Sequence, residues 1–157
     1  MKRETIFLKI AIFLIGIPIL ALALFILPMI AKEAAVYYPK IIYLPVIIGI
    51  YLTAIPFYFA LYQAFKLLNY IDKNKAFSEA SVTSLKYIKY CATAIGVTYG
   101  AFMPLFYIIG EKDDAPGLIL IGLLFTFAPI VVAVFAAVLQ KLLQNAIDIK
   151  LDNDLTI

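Results

Sequence analysis

The run Ile10–Ala31, IAIFLIGIPILALALFILPMIA, holds 22 residues and no Asp, Glu, Lys or Arg. About 20 apolar residues in a helix cross a hydrocarbon core of about 30 Å. One charge near its centre costs at least ~2.5–3.5 kcal/mol. Three more uncharged runs follow, Ile41–Phe65, Tyr90–Gly110 and Ala115–Gln140. The expected fold class is therefore all-α. It is an integral membrane four-helix bundle, one domain over residues 1–157, with spans near 10–31, 41–65, 90–110 and 115–140.

Composition points the same way. Apolar residues make up 65% of the 157 and charged residues 15%. An ordinary soluble domain is about 45–50% apolar, counting Gly but not Tyr. A 150-residue domain buries only about 68–70% of its surface, too little to hide such an excess from water. Soluble enzymes, disordered tails and disulfide scaffolds are excluded. With no His and a single Cys, the chain has no histidine-based metal site or catalytic triad and no internal disulfide. It also lacks a phosphate-binding glycine loop and paired carboxylates, so no enzyme activity, catalytic residue, cofactor or metal is expected.

The first run follows Lys2, Arg3 and Lys9, as a secretory signal would. It is about twice the usual ~7–15-residue apolar core and precedes no clear small-x-small cleavage site, so a retained anchor is expected. Basic residues flanking the spans set the orientation. Lys2, Arg3, Lys9, Lys66, Lys73, Lys75, Lys86, Lys89, Lys141 and Lys150 fall on one side, against Lys32, Lys40 and Lys112 on the other. That bias puts both termini, the loop 66–89 and the tail 141–157 in the cytoplasm of a multi-pass cell-membrane protein. It also accounts for the inner lysines without direct nucleic-acid binding. Their expected contact is the headgroup layer of the lipid bilayer.

The outer connections, Lys32–Lys40 and Glu111–Asp114, are short, and Tyr37-Tyr38-Pro39 reads as interfacial belt. Room for function is expected on the inner side. The helical patterns of spans two and four run on to Lys73 and Asp148, and each should project about 15–20 Å past the core. Their amphipathic ends are expected to pack on each other or on a partner. Lys66-Leu67-Leu68-Asn69-Tyr70-Ile71-Asp72 echoes Lys141-Leu142-Leu143-Gln144-Asn145-Ala146-Ile147-Asp148, which suggests a duplicated hairpin or a chance match of two helix ends. Asn74 reads as a helix stop and Ser78 as an N-cap, with Glu79 suiting the positive helix end. Phe77 either staples that turn or anchors a partner. The tail Ile147–Ile157 alternates apolar and polar residues, as a fraying helix end or as a short extended segment that adds to a partner.

Inside the membrane, Ala92, Gly96 and Gly100 with Ala133 and Ala137 allow close helix packing, within the bundle or in a homodimer. Pro18, Pro56, Pro104 and Pro129 each remove one backbone hydrogen bond and can kink a span, although proline is also common in membrane helices. Cys91 reads as a small buried apolar residue or a palmitoylation site. The lack of an intramembrane carboxylate, His or Lys argues against proton-coupled transport.

The stretches LLNYIDKNKAFSEASVTSLKYIKYC (Leu67–Cys91) and AVFAAVLQKLLQNAIDIKLDNDLTI (Ala133–Ile157) resemble family 2975 of the domains of unknown function, as does the Tyr37-Tyr38-Pro39 opening. The resemblance implies a small four-span bacterial membrane protein, often encoded beside a small helix-turn-helix regulator. It carries over no catalytic residues. The expected function is a non-enzymatic regulatory partner that docks such a regulator on the inner face. The expected contacts are Lys73, Lys75, Phe77, Ser78 and Glu79 on the loop, and Gln144, Asp148, Asp152, Asn153 and Asp154 on the tail. The alternative is a protein that handles a small molecule or peptide, such as a bacteriocin immunity factor or minor transporter, with a cavity lined by Tyr51, Thr53, Tyr58, Tyr99 and Thr126.

Overall fold

The computed structural model describes residues 2–156, and side chains from Arg3 to Leu155; Ile157 of the tail lies outside the described residues. It is an all-α membrane bundle. Helix α1 (Lys2–Ala21) passes through a π-helical segment, Leu22–Ile26, into α2 (Leu27–Tyr37). A bend at Tyr38 and Pro39 leads into α3 (Lys40–Asp72), 33 residues long. Helices α4 (Glu79–Ala101) and α5 (Met103–Lys112) meet at a 45° bend, and α6 (Pro116–Thr156) closes the chain. Among the described residues, three helical stretches are each long and apolar enough to cross a bilayer: α1–α2, α3 and α6; the bent pair α4–α5 makes a fourth if taken as one span.

Only one of the four mid-span prolines marks a break. Pro104 stands in the first turn of α5, where its ring excludes the carbonyl four residues back and the helix restarts after Phe102. Pro18, Pro56 and Pro129 lie inside helices that continue through them. The π turn instead precedes Pro28 in the first turn of α2, and takes up the residue that the proline displaces.

The helix ends expected beyond spans two and four form. Asn74 ends α3 with a φ of 60°, and Lys75 and Asn74 donate back to the carbonyls of Tyr70 and Ile71, a Schellman stop. The tail does not extend as a strand. Helix α6 runs to Thr156, 41 residues and about 60 Å, because adding a residue to an existing helix is far easier than starting a new element. The ends of α3 and α6 do not pack substantially on each other. Among the described residues the helices pack in chain order: α1 and α2 on α3, α3 on α4, α4 and α5 on α6.

That order leaves α1 and α6 as edges. Phe25 in the first span is 71% exposed and Phe135 in α6 is 66% exposed, far too much apolar surface for water but matched to lipid. Two ends of the bundle can be told apart. The terminus end carries the start of α1, the α3–α4 connection and the end of α6. The hairpin end carries the α2–α3 and α5–α6 connections.

Candidate functional site

The terminus end is built around the first turns of α4. Ser78 caps the helix: its Oγ accepts from the Ser81 N–H at 3.3 Å. The same Ser78 hydroxyl donates to the Lys75 carbonyl at 2.6 Å, and Ser81 Oγ donates to that carbonyl at 3.1 Å. Two hydroxyls thus fix the connection onto the helix start. Beneath it, Ser81, Val82, Ser84 and Leu85 of α4 are buried, as are Leu68 of α3 and Ile147 of α6.

Of the ten residues expected to meet a partner, three come together here. Gln144 Nε2 donates to Glu79 Oε1 at 3.2 Å and to Asp148 Oδ1 at 3.1 Å. One amide therefore joins a carboxylate of the loop to a carboxylate of the tail and holds two negative charges side by side. Asp152 lies one turn beyond Asp148 on the same helix, and Asn153 and Asp154 follow in its last turns. Lys73 caps the C-terminus of α3, and both Lys73 and Lys75 are exposed on the connection. Phe77 is not buried in the turn; the residue is 61% exposed. Beside the acidic cluster a groove of about 340 Å³ runs between α4 and α6, lined by Lys89, Lys141 and the amides of Gln140 and Asn145.

One feature of this end had no reading in the sequence. Lys9 of α1 pairs with Asp72 at the end of α3, Nζ to Oδ2 2.8 Å, and Thr5 Oγ1 donates to Asp72 Oδ1. Lys9 also lies over the Phe65 ring, 5.3 Å from its centroid. The sequence showed only that Lys9 precedes the first charge-free run and Asp72 follows the second.

The small residues are used within the chain. Ala92, Gly96 and Ala133 are buried between helices. A Cβ on Gly96 would stand 2.7 Å from Ile130 and 3.1 Å from the Thr126 carbonyl, so α4 and α6 approach closely there. Gly100 faces Thr126 at ordinary contact distance. Ala136 is the second buried alanine of α6, while Ala137 is half-buried and lines the groove.

The hydroxyls expected to line a cavity are bound elsewhere. Tyr51 donates to the Ala23 carbonyl and Tyr58 to that of Gly16, each at 2.7 Å. Thr53 meets Tyr99 at 3.0 Å, and Thr126 donates back to Gly122.

The family of proteins of unknown function DUF2975 matches residues 29–157. The chain belongs to this family. It is also similar to the "Uncharacterized membrane protein YoaS" of Bacillus subtilis (strain 168), at 63% identity over 158 residues and 99% of each chain. No solved structure matches. The DUF2975 match takes in α3 to α6 and most of α2, and so all of the terminus-end cluster except the contribution of α1.

Proposed function

We propose that this DUF2975 member is a non-enzymatic four-span protein of the cell membrane, with both termini in the cytoplasm. Its terminus end docks a soluble partner, a small helix-turn-helix DNA-binding regulator. The observation that carries the docking reading is the Glu79–Gln144–Asp148 cluster, in which loop and tail form one acidic surface instead of two separate segments. The exposed Phe77 ring and the helical tail, where Leu151 and Leu155 lie exposed one turn apart, supply apolar area beside that charge. Charge of this kind steers an encounter, while the aromatic and leucine side chains hold it. The basic residues flanking the spans support the inner placement. The regulator itself is what the family resemblance implies.

Affinity capture from the native host with the full chain tests the reading. A helix-turn-helix protein should be enriched. Phe77→Ala should weaken its capture by tenfold or more, as losing a buried aromatic anchor of about 2 kcal/mol would. Removing residues 151–157 should alter transcription of the regulator's targets. No enrichment, with transcription unchanged by the truncation, would sink the proposal. So would finding the segment 74–81 labelled from the medium on intact cells.

A further inference from the structure

A cavity of about 510 Å³ opens at the hairpin end, among α2, α3 and α5, with Leu118 of α6 at its edge. Its floor is core: Leu27, Val46 and Phe106 are all buried. Its rim is chemically one-sided. Tyr37, Tyr38 and Tyr43 supply three aromatic rings, and Glu33 and Asp113 supply two carboxylates, while no base lines it among the described residues. Cavities of about 300–1,000 Å³ with apolar walls and a few polar groups are the usual form of small-molecule sites.

Two details of the wall bear on what fits. Lys112, which does not itself line the cavity, stands over the Tyr38 ring with Nζ 5.0 Å from its centroid, so that ring already holds one ammonium by its π face. The Tyr38 hydroxyl is buried and makes no hydrogen bond of normal geometry in the structure. Its neighbour is the Asp113 carboxylate, and the phenol oxygen can still accept from a ligand N–H.

We propose that this cavity binds a small amphipathic organic cation, its apolar body on the Leu27–Val46–Phe106 floor and its charge among Glu33, Asp113 and the tyrosine rings. The carboxylates set the sign, the rings add cation–π attraction, and the floor rewards an apolar body of drug size. The site lies at the opposite end of the bundle from the docking surface and does not depend on it. It also gives the small-molecule reading of the sequence a different location from the mid-span hydroxyls.

The test uses two ions of the same size and shape and opposite charge, tetraphenylphosphonium and tetraphenylborate. Binding is measured to the full chain in phosphatidylcholine nanodiscs, with uptake by empty discs subtracted. The cation should bind saturably at one per chain and the anion at least tenfold more weakly. Glu33→Gln with Asp113→Asn should weaken the cation about tenfold, and Ile50→Trp, which fills the cavity floor, should abolish binding. Lys112→Met should strengthen binding by about two- to fivefold, because it removes the internal competitor for the Tyr38 ring; a merely structural role for the rim would not produce that gain. Circular dichroism and thermal melting check that each variant folds, and if one does not, the wild-type split between cation and anion decides alone. Equal binding of both ions, or uptake no greater than in empty discs, would overturn the proposal. Specific binding that appears only in phosphatidylglycerol discs, which carry no ammonium, and not in phosphatidylcholine would also overturn it, by assigning the cavity to a lipid ammonium headgroup.

Discussion

The two halves of the bundle share a plan and differ in what holds them. Each half has a first helix interrupted ahead of a proline, Pro28 in α1–α2 and Pro104 in α4–α5, and a long uninterrupted second helix, α3 or α6. In the first half, side chains reach across a wider gap. Tyr51 and Tyr58, seven residues apart on α3, donate to the carbonyls of Ala23 and Gly16, seven apart in the opposite direction. Phe13 meets Phe65 edge-on, and Lys9 pairs with Asp72. In the second half the backbones themselves come close, along Ala92, Gly96, Ala133 and Ala136. Lipid gives no hydrophobic drive for helix pairing, so a helix pair must use either polar straps or close packing. This chain leans on straps in the first half and on close packing in the second, where Gln144 to Glu79 adds a polar link at the terminus end.

Glycine-to-alanine substitution separates the two devices most sharply. On Gly96 the new methyl would lie 2.7 Å from Ile130 and 3.1 Å from a backbone carbonyl, which cannot swing away. Overpacking of this kind costs about 1–3 kcal/mol. On Gly16 the nearest atoms are the ends of Leu61 and Tyr58, at 3.4 and 3.6 Å, ordinary contact, and the expected change is within about 0.5 kcal/mol. Thermal melting in detergent should lower the midpoint for Gly96→Ala and leave Gly16→Ala near wild type. Equal effects would mean that the halves are not held differently.

A similar clash joins the halves. A methyl on Gly49 would lie 2.1 Å from the Phe102 ring, which stands at the α4–α5 bend. Gly49→Ala should cost about 1–3 kcal/mol. Adding Phe102→Ala should recover part of that loss, because the obstacle is one side chain. No recovery in the double variant would show that the backbone at the bend, and not the ring, sets the approach of α3.

Much of this was legible in the sequence where the signal is local. Charge-free runs gave the long apolar helices, Asn74 gave the helix stop, and Ser78 gave the cap, because each depends on neighbours a few residues away. The tail left two readings open because Asp148, Lys150, Asp152 and Asp154 alternate with apolar residues, a strand-like pattern that an already formed helix simply carries through, and the helical reading is the one that holds. Proline alone could not say which span would break: Pro104 interrupts a helix and Pro129 does not. Lys9–Asp72 spans 63 residues and Glu79–Gln144 spans 65, so the members could be named but not paired. The hairpin-end cavity was missed for a different reason. Short connections leave no room for a domain, yet the room there is made by the helix faces below them.

The straps of the first half predict a smaller effect. Hydrogen bonds between helices in membranes average about 0.6 kcal/mol each. Tyr51→Phe with Tyr58→Phe should therefore cost about 1 kcal/mol and loosen α1 from α3 while the α4–α6 seam stays closed. Hydrogen exchange should rise in α1 and not in α6. A rise in both would mean that the halves open as one unit.

The smallest effect belongs to the place where the halves meet at the hairpin end. Tyr38 lies in the connection of the first half, and Lys112 and Asp113 belong to that of the second. Burial, and then the neighbouring Asp113 carboxylate, push the Tyr38 phenol up to about 12 from 10.0. The folded chain holds this proton more tightly than the unfolded one. The stabilisation linked to it is therefore fully present below pH 10 and falls away as pH rises toward 12. Lysines and other tyrosines titrate in the same range, so the useful measurement is a difference. Between pH 9 and 11, wild type should lose more of its melting temperature than Tyr38→Phe, which has no proton to lose at that position. Below pH 9 the two should melt within a degree or two of each other, since the hydroxyl makes no normal hydrogen bond to give up. Parallel curves across the whole range would mean that the contact between the connections does not bias folding, and that the two halves are joined only through Gly49, Phe102 and the α3–α4 packing.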